Sequence, residues 1–193
     1  MRTIRFIASV CLICVASIAC AQWSEQMYDA YTYNSYTNYS AFNQSIDENN
    51  YDSDLMEAAL FYETNRQRAK YKLPLLKHDA NLSTCARNHS MDMVTYNFFS
   101  HESPVPGKTV PQDRLAEVDR DGYTACENLV FVSVRKSYAA TAKYMVEEKW
   151  MKSKGHRANI LRANMTHLGC GVAFYRDGDY FYVKATQNFI CMQ

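Results

Sequence analysis

The chain has 193 residues, of which 48% are hydrophobic, and its formal net charge is +1 at pH 7. This is enough material for one domain with a hydrophobic core. The small and scattered net charge excludes an extended basic surface, so nucleic acid is not expected as a partner.

The first 21 residues predict a secretory signal peptide. Arg2 and Arg5 precede an apolar run from Phe6 to Ala21, and the run ends in small residues that suit cleavage before Gln22. A permanent membrane anchor needs about 20 apolar residues, so this shorter run is marginal as a span. Cleavage predicts a secreted or extracellular protein, or one at the cell surface or in the periplasm, depending on the source, rather than an integral membrane protein.

A second interpretation of the same segment is lipidation. Ser17-Ile18-Ala19-Cys20 resembles a bacterial lipobox, in which Cys20 would become the lipidated N-terminus. Ser17 stands where that motif usually has leucine, so cleavage before Gln22 is the favoured prediction.

Residues 22–52 differ in composition from the rest of the chain. They contain six tyrosines among many Asn and Ser residues, five acidic residues, and neither Lys nor Arg. Because the aromatic residues lack helical or strand periodicity, a flexible acidic linker is predicted. Alternatively, a segment so rich in tyrosine contacts a partner or a glycan. Asn38 and Asn43 head two of the chain's N-glycosylation sequons, and Asn81, Asn88 and Asn164 head the others.

The remaining residues, 53–193, are predicted to form the folded domain. Removing the two arginines of the signal and the five acidic residues of the linker from the net charge leaves +4 for this domain. The spacing of apolar residues predicts four helices, with Asp79 and Asn81 as capping residues of the second. These helices are Leu55 to Ala69, Leu82 to Val94, Pro111 to Val118 and Tyr138 to Met151.

Three strands are predicted in the same domain. They cover Asn128 to Val134, Leu168 to Phe174 and Tyr180 to Ile190, and Asp177-Gly178 indicates a hairpin between the last two. Helices before, between and beside antiparallel strands predict an α+β fold, arranged as an α/β/α sandwich.

The cysteines predict two disulfides. Loss of the signal peptide leaves four of the seven cysteines, and an even number in an exported chain favours bridges. Cys170 and Cys191 come at the ends of the two C-terminal strands and are predicted to pair, which leaves Cys85 to pair with Cys126. The alternative is four buried thiols.

Two histidines and a carboxylate are the main candidates for chemistry. His101 and His156 lie in separate segments, with Glu127 between them. Imidazole and carboxylate groups are zinc ligands, and they also act as general acids and bases near neutral pH. Metal motifs usually place two ligands on one helical turn, so spacing alone supports neither role strongly. His78, His89 and His167 are predicted to be solvated or structural.

Besides metal binding and acid–base catalysis, a third possible chemistry is nucleophilic catalysis by a serine. Ser100 precedes His101, Ser153 lies three residues before His156, and Glu127 is available to orient an imidazole. The chain lacks a G-x-S-x-G elbow, and Ser153 is more simply explained as a helix cap.

The order of these motifs resembles the CAP superfamily of cysteine-rich secretory proteins, antigen 5 and plant pathogenesis-related proteins, and its compact bacterial-type branch in particular. The resemblance covers residues 53–192 approximately. It is carried by the segments Asn65-Arg66-Gln67-Arg68 with Leu73-Pro74-Leu75-Leu76, Ala86 to Met93, Phe98 to Pro104, Cys126-Glu127-Asn128-Leu129, Trp150 to Leu161, Leu168 to Ala173 and Gln187-Asn188-Phe189.

The resemblance implies a three-layer sandwich with a cleft in which two histidines and two acids bind a divalent metal, commonly zinc. His101, His156 and Glu127 match three of these ligands. Ser153 stands where animal members have the second acid, which makes tight zinc binding doubtful. Cys126 replaces a usual glycine, and Gln187 resembles a glutamine that faces the cleft. Zinc or another divalent cation is the one cofactor that the resemblance suggests.

Members of this family have varied activities, so the fold does not identify one chemistry. The leading hypothesis is a secreted, non-enzymatic module that binds a lipid or sterol, a glycan or a protein partner through a cleft that includes Glu127, Ser153 and Gln187. The alternative is a secreted, protease-like hydrolase that uses His101, Glu127 and His156, with Ser153 as a candidate nucleophile. A purely structural stalked domain is the third hypothesis.

Overall fold

The computed structural model describes residues 23–192. The predicted signal peptide and the lipidation of Cys20 lie outside this range. The described helices are α1 (Met27–Ala30), α2 (Ser53–Lys70), α3 (Ala80–Thr95), α4 (Pro111–Ala116), α5 (Tyr138–Lys143), a π-helix (Tyr144–Trp150) and α6 (Lys154–Ile160). Among the described residues, no helix is long and apolar enough to cross a membrane.

The described strands are β1 (Lys77–His78), β2 (Thr124–Ser133), β3 (His167–Asp177) and β4 (Tyr180–Cys191). They form one sheet in the order β1-β3-β4-β2. The strand β1 pairs with β3 in parallel, whereas β3, β4 and β2 are antiparallel neighbours. Three strands were predicted, and the fourth, β1, is too short to show a period of two.

An aspartate caps each of the two long helices. Asp79 caps α3 as predicted, whereas the cap of α2 by Asp52 was not predicted, and Asn81 lies inside α3, where its Nδ2 donates to the Val118 carbonyl at 2.9 Å. Asp52 accepts a hydrogen bond from the Leu55 amide at 2.9 Å, and Asp79 accepts one from Leu82 at 2.8 Å. Each carboxylate satisfies an amide that has no partner within the helix. The last predicted helix divides at Tyr144, where α5 continues as the π-helix.

Helices cover both faces of the sheet, so the predicted α+β fold with three layers is confirmed. The larger core lies between one face of the sheet and the helices α2, α5 and π. It contains, among others, Leu60, Met145, Trp150, Val172 and Phe189, which are buried. Trp150 also donates a hydrogen bond from Nε1 to the Leu129 carbonyl at 2.9 Å, which ties the π-helix to β2.

A smaller core lies on the opposite face, where Leu82, Cys85, Leu115 and Ile190 are packed together. Here α3 lies directly on β3, because that strand has glycine at the points of contact. A Cβ atom on Gly171 would lie 1.9 Å from the Arg87 amide nitrogen, a separation that no packed side chain tolerates. The glycines of β3 therefore allow the close approach of α3.

The structure differs from the predicted flexible linker over residues 23–52. Trp23, Tyr36 and Phe42 are buried in the larger core. The Tyr36 hydroxyl donates a 2.5 Å hydrogen bond to Glu63 of α2, and the Tyr62 hydroxyl donates to the Met27 carbonyl at 3.2 Å. The aromatic rings lack periodicity because this segment packs in short turns against α2.

The two predicted disulfides are not formed, and the four described cysteines are free. Cys170 pairs in register with Gln187, four residues along β4 from Cys191. That separation is about 13 Å at roughly 3.3 Å per strand residue, whereas bridged Cα atoms lie within about 7 Å. Cys126 packs in the larger core and Cys85 in the smaller one, so the sheet separates them. The alternative of buried thiols holds for Cys85 and Cys170.

Candidate functional site

Three distant segments meet beside β2, which is an outer strand of the sheet. Glu127 lies in β2, His101 in the connection between α3 and α4, and His156 in α6. Glu127 is buried, with a side chain 4% exposed, whereas the His101 side chain is 51% exposed. The site is therefore a buried carboxylate beneath an accessible imidazole.

Two basic groups hold the Glu127 carboxylate. His101 Nδ1 lies 2.8 Å from Oε1, and Arg114 Nη2 lies 2.8 Å from Oε2 and 3.1 Å from Oε1. The Arg114 guanidinium also donates to the backbone carbonyls of His101 at 3.1 Å and Lys108 at 3.0 Å. Arg114 thus connects the carboxylate to the loop that carries His101.

Opposing effects act on the pKa of Glu127. Burial raises it, because the charged form loses solvation. The hydrogen bond from His101 and the positive charge of Arg114 outweigh burial and hold the pKa of Glu127 below its usual range. Glu127 is therefore an anion at neutral pH, and it is a weak proton acceptor.

Amide side chains fix α6 against the same strand. Asn159 Nδ2 donates to the Glu127 carbonyl at 3.1 Å and to Asn128 Oδ1 at 2.9 Å. Asn128 Nδ2 in turn donates to the His156 carbonyl at 3.2 Å. These bonds satisfy polar groups at the sheet edge and set the position of His156 relative to Glu127.

The structure brings His101 and His156 into the same neighbourhood. Hydrogen bonds place both histidines beside the same part of β2, since His101 bonds to Glu127 and the His156 carbonyl accepts from Asn128, the next residue. Partial burial lowers the pKa of His156, and the charge of His101 lowers it further. His156 is consequently a neutral imidazole at pH 7, with one nitrogen able to donate and the other to accept.

The three predicted zinc ligands do not fit a metal site in this arrangement. Arg114 places a positive charge 2.8 Å from Glu127, where a cation would have to bind. Within residues 23–192, no group of three or more His, Cys, Asp or Glu side chains is arranged to hold a metal ion. Glu127 serves to orient His101, which leaves two imidazoles and too few ligands for a structural or catalytic zinc.

Neither candidate serine is joined to an imidazole in the described structure. Ser100 Oγ accepts a hydrogen bond from the Glu102 amide at 3.1 Å. Ser153 occupies the N-cap position of α6, as predicted, although its side chain makes no capping hydrogen bond. Activation of a serine by histidine requires a direct hydrogen bond, which this geometry lacks.

Gln187 differs from the prediction that it faces the cleft. It is fully buried, and its Nε2 donates to Thr64 Oγ1 at 2.6 Å. Its Oε1 accepts from Asn128 at 3.3 Å, so Gln187 supports the amide network from behind.

The sequence analysis missed Arg114, which lies in a short helix with no motif that marks it. His89, predicted to be solvated or structural, is buried, bonds to the Ser100 carbonyl at 3.1 Å through Nε2, and leaves Nδ1 without a partner among the described residues. His78 is structural, since it stacks on Tyr28 at 3.7 Å, and His167 contacts Thr166 at 2.9 Å.

Among curated proteins, two from Bacillus subtilis (strain 168) are similar to this chain. The uncharacterized protein YkwD is 38% identical over 108 residues, which cover 56% of this chain and 38% of YkwD. The uncharacterized membrane protein YlbC is 38% identical over 127 residues, which cover 66% of this chain and 32% of YlbC. The chain thus spans about a third of the length of these relatives.

Solved structures are similar in fold. One is an extracellular protein with an SCP domain from Bacillus anthracis, which has a TM-score of 0.57 and 32% identity over 74% of this chain and 42% of that chain. Another is an outer surface protein from Borrelia burgdorferi, which has a TM-score of 0.52 and 16% identity over 69% of this chain and 90% of that one. At 16% identity, the Borrelia protein is similar to this chain in fold only.

The family itself is established by a match to the sequence model of the Cysteine-rich secretory protein family, CAP. The match covers residues 61–192, which include α3, the whole sheet and every residue of the candidate site. The chain therefore belongs to the CAP family.

Proposed function

We propose that this protein is an exported, non-enzymatic CAP module that binds a partner at the surface around His101 and His156, where the family resemblance implies a cleft. The observation that carries this proposal is the double pairing of Glu127 with Arg114 and His101. A carboxylate held in this way is stable as an anion. Its pKa lies far below neutral pH, so it is poorly suited to act as the general base of a hydrolase.

The polar character of the cleft favours a glycan or a protein partner over a lipid. His101 is half exposed, and His156 is partly buried with a lowered pKa. Imidazole groups held by a fixed hydrogen-bond network are suited to recognise the hydroxyl, amide and carbonyl groups of a polar partner. A lipid chain would leave them without hydrogen bonds.

Export is supported by the signal-peptide features of residues 1–21. The similar Bacillus anthracis protein is described as extracellular, which agrees with the same destination.

An activity assay separates this function from the alternative hydrolase. Purified protein that begins at Gln22 is incubated with a broad panel of fluorogenic peptides and esters. We expect no turnover above that of a His101→Ala/His156→Ala variant. Turnover that disappears in Glu127→Ala or Ser153→Ala would establish the hydrolase and overturn the proposal.

Partner binding is tested with the same variants. Immobilised protein is exposed to surface glycans, lipids and exported proteins extracted from the source cells. The proposal expects a glycan or protein ligand whose retention falls in His156→Ala, while Tyr180→Ala, a change of an exposed residue at the far end of the sheet, retains a ligand of the cleft. A ligand retained equally by both variants would place recognition outside the cleft.

A further inference from the structure

Five aromatic side chains form an exposed surface at the hairpin end of the sheet. This aromatic platform consists of Phe99, Phe131, Tyr175, Tyr180 and Tyr182. Tyr180 is 65% exposed, Phe99 49% and Phe131 43%, so much of the ring surface is accessible. Exposed aromatic patches of this extent mark interaction sites more often than single surface rings do.

Strand register places the platform on one face of the sheet. Tyr175 of β3 pairs with Tyr182 of β4, and Phe131 of β2 pairs with Lys184 two residues further along β4. Paired residues share a face, and so do residues two apart in a strand. The helix α3 covers this face over the β3 glycines and ends at Thr95, which leaves the hairpin end uncovered.

The rings contact one another in a continuous row. The ring centroids of Phe99 and Phe131 are 6.2 Å apart, those of Phe131 and Tyr182 are 5.1 Å apart, and those of Tyr182 and Tyr180 are 6.0 Å apart. Tyr175 stacks beside this row, 6.0 Å from Phe131 and 5.7 Å from Tyr182. The five rings therefore form a continuous aromatic surface, although consecutive rings of the row are tilted by 40–53°.

A buried lysine supports the platform from within. Lys184 Nζ donates to the Met93 carbonyl at 2.8 Å and the Phe98 carbonyl at 3.0 Å, at the end of α3. The same ammonium lies 5.3 Å from the Tyr175 ring centroid and 6.0 Å from that of Phe131. Lys184 is only 5% exposed, so it holds the rings in place and offers no accessible charge to a ligand.

The tyrosine hydroxyls of the platform are free to bind a ligand. Within the described part of the chain, the hydroxyls of Tyr175, Tyr180 and Tyr182 make no hydrogen bond to protein. The platform thus combines apolar ring faces with unpaired polar groups, and the charge of Lys184 beneath it is buried. This combination is complementary to a pyranose ring, which has an apolar C–H face edged by hydroxyls.

We propose that the aromatic platform is a binding site for an uncharged polysaccharide chain, whose sugar rings stack on Phe131, Tyr180 and Tyr182. The row of rings is long enough for more than one sugar unit. The platform shares no residue with the cleft, so this site does not depend on the function proposed for His101 and His156.

Charge complementarity argues against a membrane as the occupant. Asp177 and Asp179 form the hairpin turn next to Tyr180, and their carboxylates repel anionic lipid headgroups. Arg176, the cation of the turn, forms an ion pair with Glu48. Of the two basic residues that line a groove with Asp179 and Tyr180, Arg135 lies over the Tyr144 ring, which leaves Lys136 beside the two carboxylates. Membrane-binding surfaces instead combine exposed apolar groups with basic residues.

The proposal is tested by titrating the protein with soluble cellohexaose and N-acetylchitohexaose in a calorimeter. We expect saturable binding of at least one oligosaccharide, weakened about tenfold or more in Tyr180→Ala and in Phe131→Ala, since aromatic anchors dominate such contacts. Both side chains are exposed, so both variants should fold, which circular dichroism and thermal unfolding verify. Tyr180→Phe should keep most of the affinity, because it retains the ring.

Tyr123→Ala is the matched control, because Tyr123 is also exposed but lies at the opposite end of β2. It should bind like the unmodified protein. The proposal is overturned if the protein binds neither oligosaccharide. It is also overturned if the Tyr180→Ala and Tyr123→Ala variants bind with equal affinity. Binding to vesicles of phosphatidylcholine and phosphatidylglycerol in the absence of oligosaccharide binding would overturn it as well.

Discussion

Two buried glutamates, each paired with an arginine, differ in how firmly they stay ionised. Glu127 of β2 bonds to Arg114 and His101, and its pKa lies below the usual range. Glu57 of α2 bonds to Arg87 at 2.8 and 2.5 Å, yet burial raises its pKa to about 7. Burial alone therefore does not determine the charge of a carboxylate in this protein.

The number of positive partners explains the difference. Glu127 has two basic partners, and Arg114 has no second carboxylate to neutralise among the described residues. Arg87 contacts Asp54 as well as Glu57, so one guanidinium serves two carboxylates. A carboxylate that shares its cation is easier to protonate, because part of the compensating charge is used elsewhere. The cleft carboxylate is thus the better stabilised anion of the two.

Replacement of Arg114 or Arg87 should lower the stability of the protein more than any other change considered. Arg114→Met leaves Glu127 buried with a half-exposed imidazole, and we expect the free energy of unfolding to fall by about 3–5 kcal/mol. Arg87→Met should cost less at pH 7, because Glu57 is then able to take up a proton. Urea denaturation measures both variants. An Arg87→Met loss equal to or larger than that of Arg114→Met would contradict the comparison.

A pH series should separate the two carboxylates. The pKa of Glu57 is raised from 4.5 to about 7, so its stabilising contribution is present below pH 4.5 and disappears as pH rises to about 7. The free energy of unfolding should therefore change by up to about 3 kcal/mol over this pH range because of Glu57, and Glu57→Gln should remove that change. Because the pKa of Glu127 is lowered, Glu127→Gln should change the profile only below about pH 4.5. Identical profiles for the two variants between pH 5 and 8 would refute this assignment.

Removal of His101, the second partner of Glu127, should lower the free energy of unfolding less than removal of Arg114. His101→Ala leaves Arg114 bound to Glu127, and the half-exposed imidazole is screened by solvent, so the expected loss is about 1 kcal/mol or less. The pKa of His156, measured by NMR titration, should rise because the charge of His101 no longer opposes its protonation. An unchanged or lower pKa would contradict the proximity of the two imidazoles.

Zinc should have no measurable effect on stability. Arg114 occupies the position at Glu127 that a cation needs, so millimolar zinc chloride should leave the melting temperature unchanged. Differential scanning fluorimetry provides the measurement. A rise in melting temperature that disappears in His101→Ala/His156→Ala would restore the metal site that the family resemblance implies.

Local patterns were sufficient to predict much of the fold. Asp79 lies next to helical periodicity, and Asp177-Gly178 lies between two apolar strands, so neighbouring residues alone indicate where α3 begins and where β3 and β4 form a hairpin. His101, Glu127 and His156 were found through ordered family segments rather than through spacing. Their type and order were visible in the sequence, whereas their contacts were not.

The tertiary structure decided the features that depend on distant partners. Arg114 meets Glu127, and the aromatic rings of residues 23–52 find their partners on α2, although neither contact leaves a periodic signal in the sequence. The sheet places Cys85 and Cys126 on opposite faces, which excludes a bridge that their number alone had suggested. Sequence by itself therefore determined the elements and the candidate residues, because side-chain spacing records local geometry. Packing decided charge states, pairings and burial, because these arise only when separate segments come together.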